Sequence, residues 1–194
     1  SFINSLAMFL VFFDEVFSVV ISVVIALVIF WVVRTYFFYP FRVDGDSMAN
    51  TMIDGDRFVL SLTDDIDQSD IVVFPAPDGS GDEYVKRIIG VPGDTIEYKD
   101  DVLYINDEAI DEPYLDSIKE DYFKRFPDDS TFTNDFTLED ITGETTVPEG
   151  MYFVLGDNRE VSHDSRYFGF IDADSVEGTT HFRYWPFSDF GSVQ

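Results

Sequence analysis

A mainly β domain behind one membrane-spanning helix, with a smaller subdomain inserted in the β part, is the architecture this sequence predicts. Three observations lead there. An apolar run from Val16 to Val33 carries no charged residue. After Pro40, short runs rich in Val, Ile, Phe and Tyr alternate with turn residues. From Asp111 to Thr146 an acidic stretch with little alternation interrupts that pattern.

The first element is the helix. The run VFSVVISVVIALVIFWVV, at about 1.5 Å per residue, would span about 27 Å, close to the hydrocarbon thickness of a bilayer. A helix buried in a soluble core seldom stays apolar on every face over such a length. A cleavable signal peptide fits less well, because Asp14 and Glu15 precede the run and no small-x-small site ends it. Trp31, Tyr36 and Tyr39 suit an interfacial aromatic belt. Residues 1–40 are therefore assigned to a single-pass anchor in the lipid bilayer, its transmembrane helix at about 16–33. On sidedness, Arg34 and Arg42 follow the span and no Lys or Arg precedes it, so the positive-inside rule would place the large domain in the cytoplasm.

The strands come next. Phe41–Val43, Arg57–Leu62, Asp70–Phe74, Tyr84–Val91, Thr95–Tyr98, Val102–Ile105, Met151–Leu155 and Thr179–Trp185 have strand composition. Turn residues such as Asp54-Gly55, Asp78-Gly79 and Pro92-Gly93 separate them. Residues 41–110 and 147–190 form the expected β domain. Residues 111–146 form the inserted subdomain or long loop, whose aromatics Tyr122, Phe123, Phe126, Phe132 and Phe136 suit a small local core.

Charge and composition exclude several functions. With 12 Lys and Arg against 38 Asp and Glu, the net charge is −26, which excludes nucleic-acid binding by phosphate neutralisation. Asp14 and Glu15 balance Arg34 and Arg42, so the whole excess lies from Asp44 onward. A hydrophobic content of 45% and an aromatic content of 17% nevertheless suffice for a packed core. The absence of Cys removes disulfides, thiolate metal sites and Cys nucleophiles. Of the two histidines, neither sits in an H-E-x-x-H spacing, and no metal or other cofactor is expected.

Three segments can carry chemistry. In Asp44-Gly45-Asp46-Ser47-Met48, a serine in a Gly-containing turn can expose its hydroxyl beside free backbone amides, although exposed turn serines are also common. In Tyr84-Val85-Lys86-Arg87-Ile88, alternation puts Lys86 on the face of Tyr84 and Ile88 and Arg87 on the other. A buried Lys86 ammonium would lose hydration and its pKa would fall, making it a general base near neutral pH; the alternative is a lysine snorkelling at a sheet edge. The third segment runs from Gly156 to Arg166. Its contiguous Ser162-His163-Asp164 is no triad, because neighbours in an extended chain point apart. A hydrogen-bonded scaffold suits it better, with Asp164 paired to Arg166 or Arg159 and one hydroxyl turned toward a catalytic group.

Taken in order behind an anchor, D-G-D-S-M, Y-V-K-R-I-I-G-V-P-G-D and G-D-N-R-x-x-S-x-D-S-R resemble the motifs of bacterial type I signal peptidases, membrane-anchored serine proteases that remove signal peptides from exported preproteins. The resemblance implies Ser47 as nucleophile, Lys86 as general base and Ser162 as the hydroxyl that orients the lysine. It implies a structural ion pair between Asp164 and Arg166, and an oxyanion met by the Ser47 amide. Gly45 stands where some members carry a second, hydroxyl donor to that oxyanion, so this donor is absent or replaced. The family's S-M-x-P-T-L reads Ser47-Met48-Ala49-Asn50-Thr51-Met52 here, which loosens the expected rigidity after the nucleophile. The implied substrates are preproteins with small residues before the cut. The implied location is a catalytic domain on the extracytoplasmic side of the cell membrane, against the charge reading. A self-cleaving repressor with the same dyad is disfavoured by the anchor and by the lack of a DNA-binding domain. An inactive relative serving as an exported binding module is disfavoured by the joint presence of Ser47, Lys86 and Ser162.

Overall fold

Thirty-five residues at the N-terminus form one helix, α1 (Phe2–Tyr36). The computed structural model describes residues 2–36, 38–63 and 65–193, with side chains from Phe12 onward except those at 36 and 38. Tyr36, one of the three expected belt residues, thus lies outside the described side chains. The helix outruns the expected span at both ends because no Gly or Pro interrupts it and Asp14 and Glu15 are compatible with helix. Its segment Phe12–Thr35 has a mean hydropathy of 3.1 and is long and apolar enough to cross a membrane. The chain divides into two compact units at Tyr39/Pro40.

From the boundary onward the Val- and Ile-rich runs become strands, the first of which straddles it. They are β1 (Phe38–Arg42), β2 (Arg57–Ser61), β3 (Ile71–Pro75), β4 (Glu83–Gly90), β5 (Ile96–Lys99), β6 (Val102–Ile105), β7 (Glu108–Ile110), β8 (Phe136–Thr137), β9 (Met151–Leu155), β10 (Ile171–Asp172), β11 (Gly178–Trp185) and β12 (Gly191–Ser192). The main sheet has the order β1-β2-β11-β3-β4-β9-β10, with β12 also on β11. The second sheet is β7-β6-β5-β8. The fold is mainly β, as the alternating runs predict. Strands β7, β8, β10 and β12 have only two or three residues each, too few for a period to show in sequence.

Between β7 and β8 lies α2 (Asp116–Arg125), and after β8 comes α3 (Leu138–Thr142). Thr137 and Asp140 form a reciprocal capping box at the start of α3, and Gly143 ends it at φ 79°. The expected local core forms in part: Tyr122 and Phe123 pack on Leu115, Ile118 and Phe132. Phe136 instead joins a second core with Tyr98 and Phe153. Each such fully buried side chain contributes roughly 1.5–3 kcal/mol.

Strand β4 positions the site. Residues Glu83 to Arg87 pair with β3, whereas pairing with β9 begins only at Arg87. Residues Glu83–Lys86 therefore have a sheet partner on one side alone.

Candidate active site

Ser47 sits in a tight turn that leaves the β1 side of the sheet. Gly45 enters it at φ 96°, a backbone conformation that L side chains rarely adopt, with no heavy atom within 4 Å of where a Cβ would stand. One helical turn follows, in which the Met52 N–H donates to the Met48 carbonyl at 2.8 Å. Met48 and Met52 anchor the turn from below, both fully buried beside Phe58 and Ile71. Asn50 occupies this turn at φ 77°. A proline there, fixed near −65°, could not adopt this conformation, so the departure from S-M-x-P-T-L goes with a left-handed turn held by other contacts.

Those contacts come from the loop after β9. The Asn158 N–H donates to the Ser47 carbonyl at 3.0 Å, and Asn158 Nδ2 donates to the Asp46 carbonyl at 3.0 Å. Gly156 makes the approach possible: a Cβ on it would stand 2.1 Å from Ser162 Oγ and 2.5 Å from the Ser47 carbonyl oxygen.

Lys86 comes from β4. Its Nζ lies 2.8 Å from Ser47 Oγ and 3.1 Å from the Val85 carbonyl oxygen. Only 3% of its surface is exposed, and Nζ stands 4.9 Å from the centre of the Tyr84 ring. Burial lowers the Lys86 pKa to about 8, against the opposing pull of Asp164 and Asp157. The snorkelling alternative is thereby excluded for this residue.

Arg87 takes the other face, and it too is buried, at 2% exposure. Its guanidinium grips Asp157 through two bonds, Nε at 3.0 Å and Nη2 at 2.7 Å. Asp157 in turn accepts from the Thr51 hydroxyl at 2.5 Å, which ties this ion pair back to the Ser47 turn.

The remaining residues of the third segment separate into two groups. Asp164, fully buried, accepts from Arg166 Nε at 2.8 Å and from the Gly156 N–H at 3.0 Å. Arg159, the other partner considered for it, pairs instead with Glu112 at 2.6 Å. Glu112 also accepts from the Tyr114 hydroxyl at 2.6 Å and from the Tyr98 hydroxyl. Burial alone would raise the Glu112 pKa, but Arg159 and these hydroxyls hold it below the usual carboxylate value. Ser162 is buried at 3% exposure, and its Oγ has no hydrogen-bond partner among the described residues. Lys86 and Ser47 are thus in direct contact, Asp164 and Arg166 are paired, and Ser162 is not bonded to the lysine.

Alternation already puts Arg87 opposite Lys86, and a guanidinium buried there needs a carboxylate, but which of the 38 Asp and Glu supplies it only the fold decides. Nothing in the sequence links Arg159 to Glu112. The cleft above Ser47 and Lys86 has a volume of about 640 Å³ and lies between residues 41–46 and 82–86. Asp44, Asp46, Asp82 and Glu83 give it a negative rim. Among the described residues no cluster of His, Asp and Glu suitable for a metal ion occurs.

Comparison with known proteins identifies the family. Residues 16–185 match the family model described as signal peptidase, peptidase S26. Signal peptidase I of Bacillus caldolyticus is 45% identical over 162 residues, covering 81% of this chain and 85% of the relative. Signal peptidase IB of Staphylococcus aureus is 41% identical over 167 residues, covering 82% and 84%. Among solved structures, that of a signal peptidase I from Enterococcus faecalis V583 is 51% identical with a TM-score of 0.55, covering 60% of this chain and 97% of that one. A match that runs from the apolar helix to the end of β11, and takes in all three motifs around the cleft, means that the chain belongs to the signal peptidase family, peptidase S26.

Proposed function

We propose that this protein is a membrane-anchored serine endopeptidase that removes signal peptides from preproteins with a Ser47/Lys86 dyad. Membership of the signal peptidase family carries the enzyme class and the signal-peptide substrate. The observation that carries the dyad is the 2.8 Å contact between Lys86 Nζ and Ser47 Oγ in a buried setting that keeps the amine near neutrality at about pH 8. Neutral Lys86 takes the Ser47 proton as Oγ attacks the scissile carbonyl. The Ser47 N–H meets the oxyanion, and the lysine ammonium then protonates the leaving amine. Ser162 serves as the hydroxyl that orients the lysine, because a buried hydroxyl left unpaired costs about 1–3 kcal/mol and gains by turning to Nζ. Asp164 with Arg166 braces the loop that carries it. Residues 1–40 anchor the chain in the lipid bilayer by α1, with 41–110 and 147–190 as the catalytic part and 111–146 inserted in it. The catalytic part faces the extracytoplasmic side, where exported substrates emerge.

The substrate lies extended along Glu83–Lys86 of β4, whose second edge is free, and alternate side chains enter the cleft. Small residues suit the two positions before the cut. Peptides with Ala at both are expected to be cleaved, and peptides with Leu or Phe there to resist; equal rates for the two sets would refute the pocket argument.

The pH profile tests the base. Only the neutral amine can take the proton, so kcat/KM should rise with pH through a midpoint near 8. Lower salt should move that midpoint higher, because the carboxylates from Asp44 onward, 38 in the chain less Asp14 and Glu15, then favour the ammonium more strongly. A rate flat from about pH 5 to 9 would remove Lys86 as the titrating base.

A further inference from the structure

One residue contacts two successive carbonyls of the nucleophile turn. Asn158 Nδ2 holds the Asp46 carbonyl and the Asn158 N–H holds the Ser47 carbonyl, both at 3.0 Å. The Asp46–Ser47 peptide bond is trans, since the single cis bond among the described residues is Trp185-Pro186. In a trans peptide the carbonyl and the following N–H point in opposite directions. A carbonyl of Asp46 fixed toward Asn158 therefore turns the Ser47 N–H away from that loop. This N–H donates to no group among the described residues. Aligning the bond needs a donor on Asn158, and only Nδ2 can supply one to a carbonyl, which fixes the amide's orientation. The Asp46 carbonyl also accepts from the Ala49 N–H at 3.1 Å, a contact within the turn itself, so Asn158 supplies the hold from outside the turn.

We propose that Asn158 is a positioning residue for the oxyanion site: its side-chain amide fixes the Asp46–Ser47 peptide plane so that the Ser47 N–H faces the developing oxyanion. The inference rests on the reading of Ser47 as nucleophile. It concerns a group that touches neither substrate nor Lys86. A donor aimed in advance costs no reorganisation at the moment of reaction, whereas a rocking peptide must be ordered each time. The benefit is specific to the transition state, because the ground-state carbonyl lies elsewhere than the oxyanion.

The test compares Asn158→Ala and Asn158→Asp in the full chain, in detergent or vesicles, on one preprotein. Aspartate keeps the shape but supplies no donor when ionised, and both variants retain the backbone bond to Ser47. Losing one oxyanion donor outright costs about 10²–10³ in kcat, so misaiming it should cost about 10- to 100-fold, with KM within about twofold. A peptide boronate, which forms a tetrahedral adduct on the serine, should lose affinity in proportion to kcat/KM. In Asn158→Ala the pH midpoint should stay where the wild-type protein has it, because Asn158 makes no bond to Lys86, whereas the added carboxylate of Asn158→Asp favours the ammonium and moves it upward. A general loosening of the turn would instead admit water to Lys86 and move the midpoint upward. Wild-type kcat or an unchanged boronate affinity in both variants, or a shifted midpoint in Asn158→Ala, would each overturn the proposal. Cleavage surviving in Lys86→Ala would instead refute the dyad, so the two failures are distinguishable.

Discussion

Preprotein cleavage by Ser47→Ala and by Lys86→Ala is expected to fall by about 10³-fold or more in kcat, and the double variant should be no worse than either single one. In the proposed dyad the two groups act as a unit, since among the described residues the Ser47 hydroxyl has no other base within bonding distance. Ser47 is half-buried and among the described residues its Oγ bonds only to Lys86, so Ser47→Ala removes almost no packing. Lys86→Met should serve as the volume-keeping control, equally inactive and folded. In the wild-type protein the folded Lys86 pKa of about 8 lies below its ordinary 10.5. The unfolded chain thus binds more protons between these values, and stability should rise with pH across that window. In Lys86→Met the rise should disappear. Cleavage assays and urea unfolding on the same preparations check both parts, and appreciable turnover by Ser47→Ala would refute the assignment.

Asp157→Ala should produce the largest loss of stability of any single change near the cleft. It leaves the Arg87 guanidinium, 2% exposed, without its carboxylate, and leaves the Thr51 hydroxyl without its acceptor. Breaking a buried pair from one side costs about 3–5 kcal/mol, because the surviving charge cannot return to water. Asp157→Asn keeps the shape but not the charge and should recover only part of the loss. The comparison is Glu120→Ala on α2: its bond to Lys124, at 2.8 Å, lies between two largely exposed side chains, and its removal should leave the unfolding midpoint unmoved. Equal effects at the two positions would show that burial does not set the value of these pairs.

The sequence revealed the main sheet because its strands are long enough for composition and turn residues to mark them. It also revealed Lys86 and Arg87 as pointing apart, since the two-residue period of a strand is a local property. That both faces are covered at this point was not legible, because it depends on Ser47 and Asp157 arriving from either side, 39 and 70 residues away. The same limit explains Arg159. Its pairing with Glu112 spans 47 residues and joins the loop after β9 to the segment after β7, a connection that only the packed fold creates. Asn50 is the converse case: the missing proline was visible at once, and the reason for it, a left-handed turn, needed the backbone.

The free edge of Glu83–Lys86 has a consequence for timing during export. Backbone groups of a sheet edge can be satisfied only by a chain whose own backbone groups are unspent. A cleavage region already coiled into helix, or already zipped into the folded passenger, offers none, however suitable its side chains. If the substrate adds to this edge as proposed, the cleft acts as a clock as well as a reader: it takes the junction behind a signal peptide while that is still unstructured and loses access once the passenger folds. The carboxylates of Asp82 and Glu83 on the rim set a second limit, because another copy of this acidic chain approaching with its own free edge meets like charge before its strands can pair.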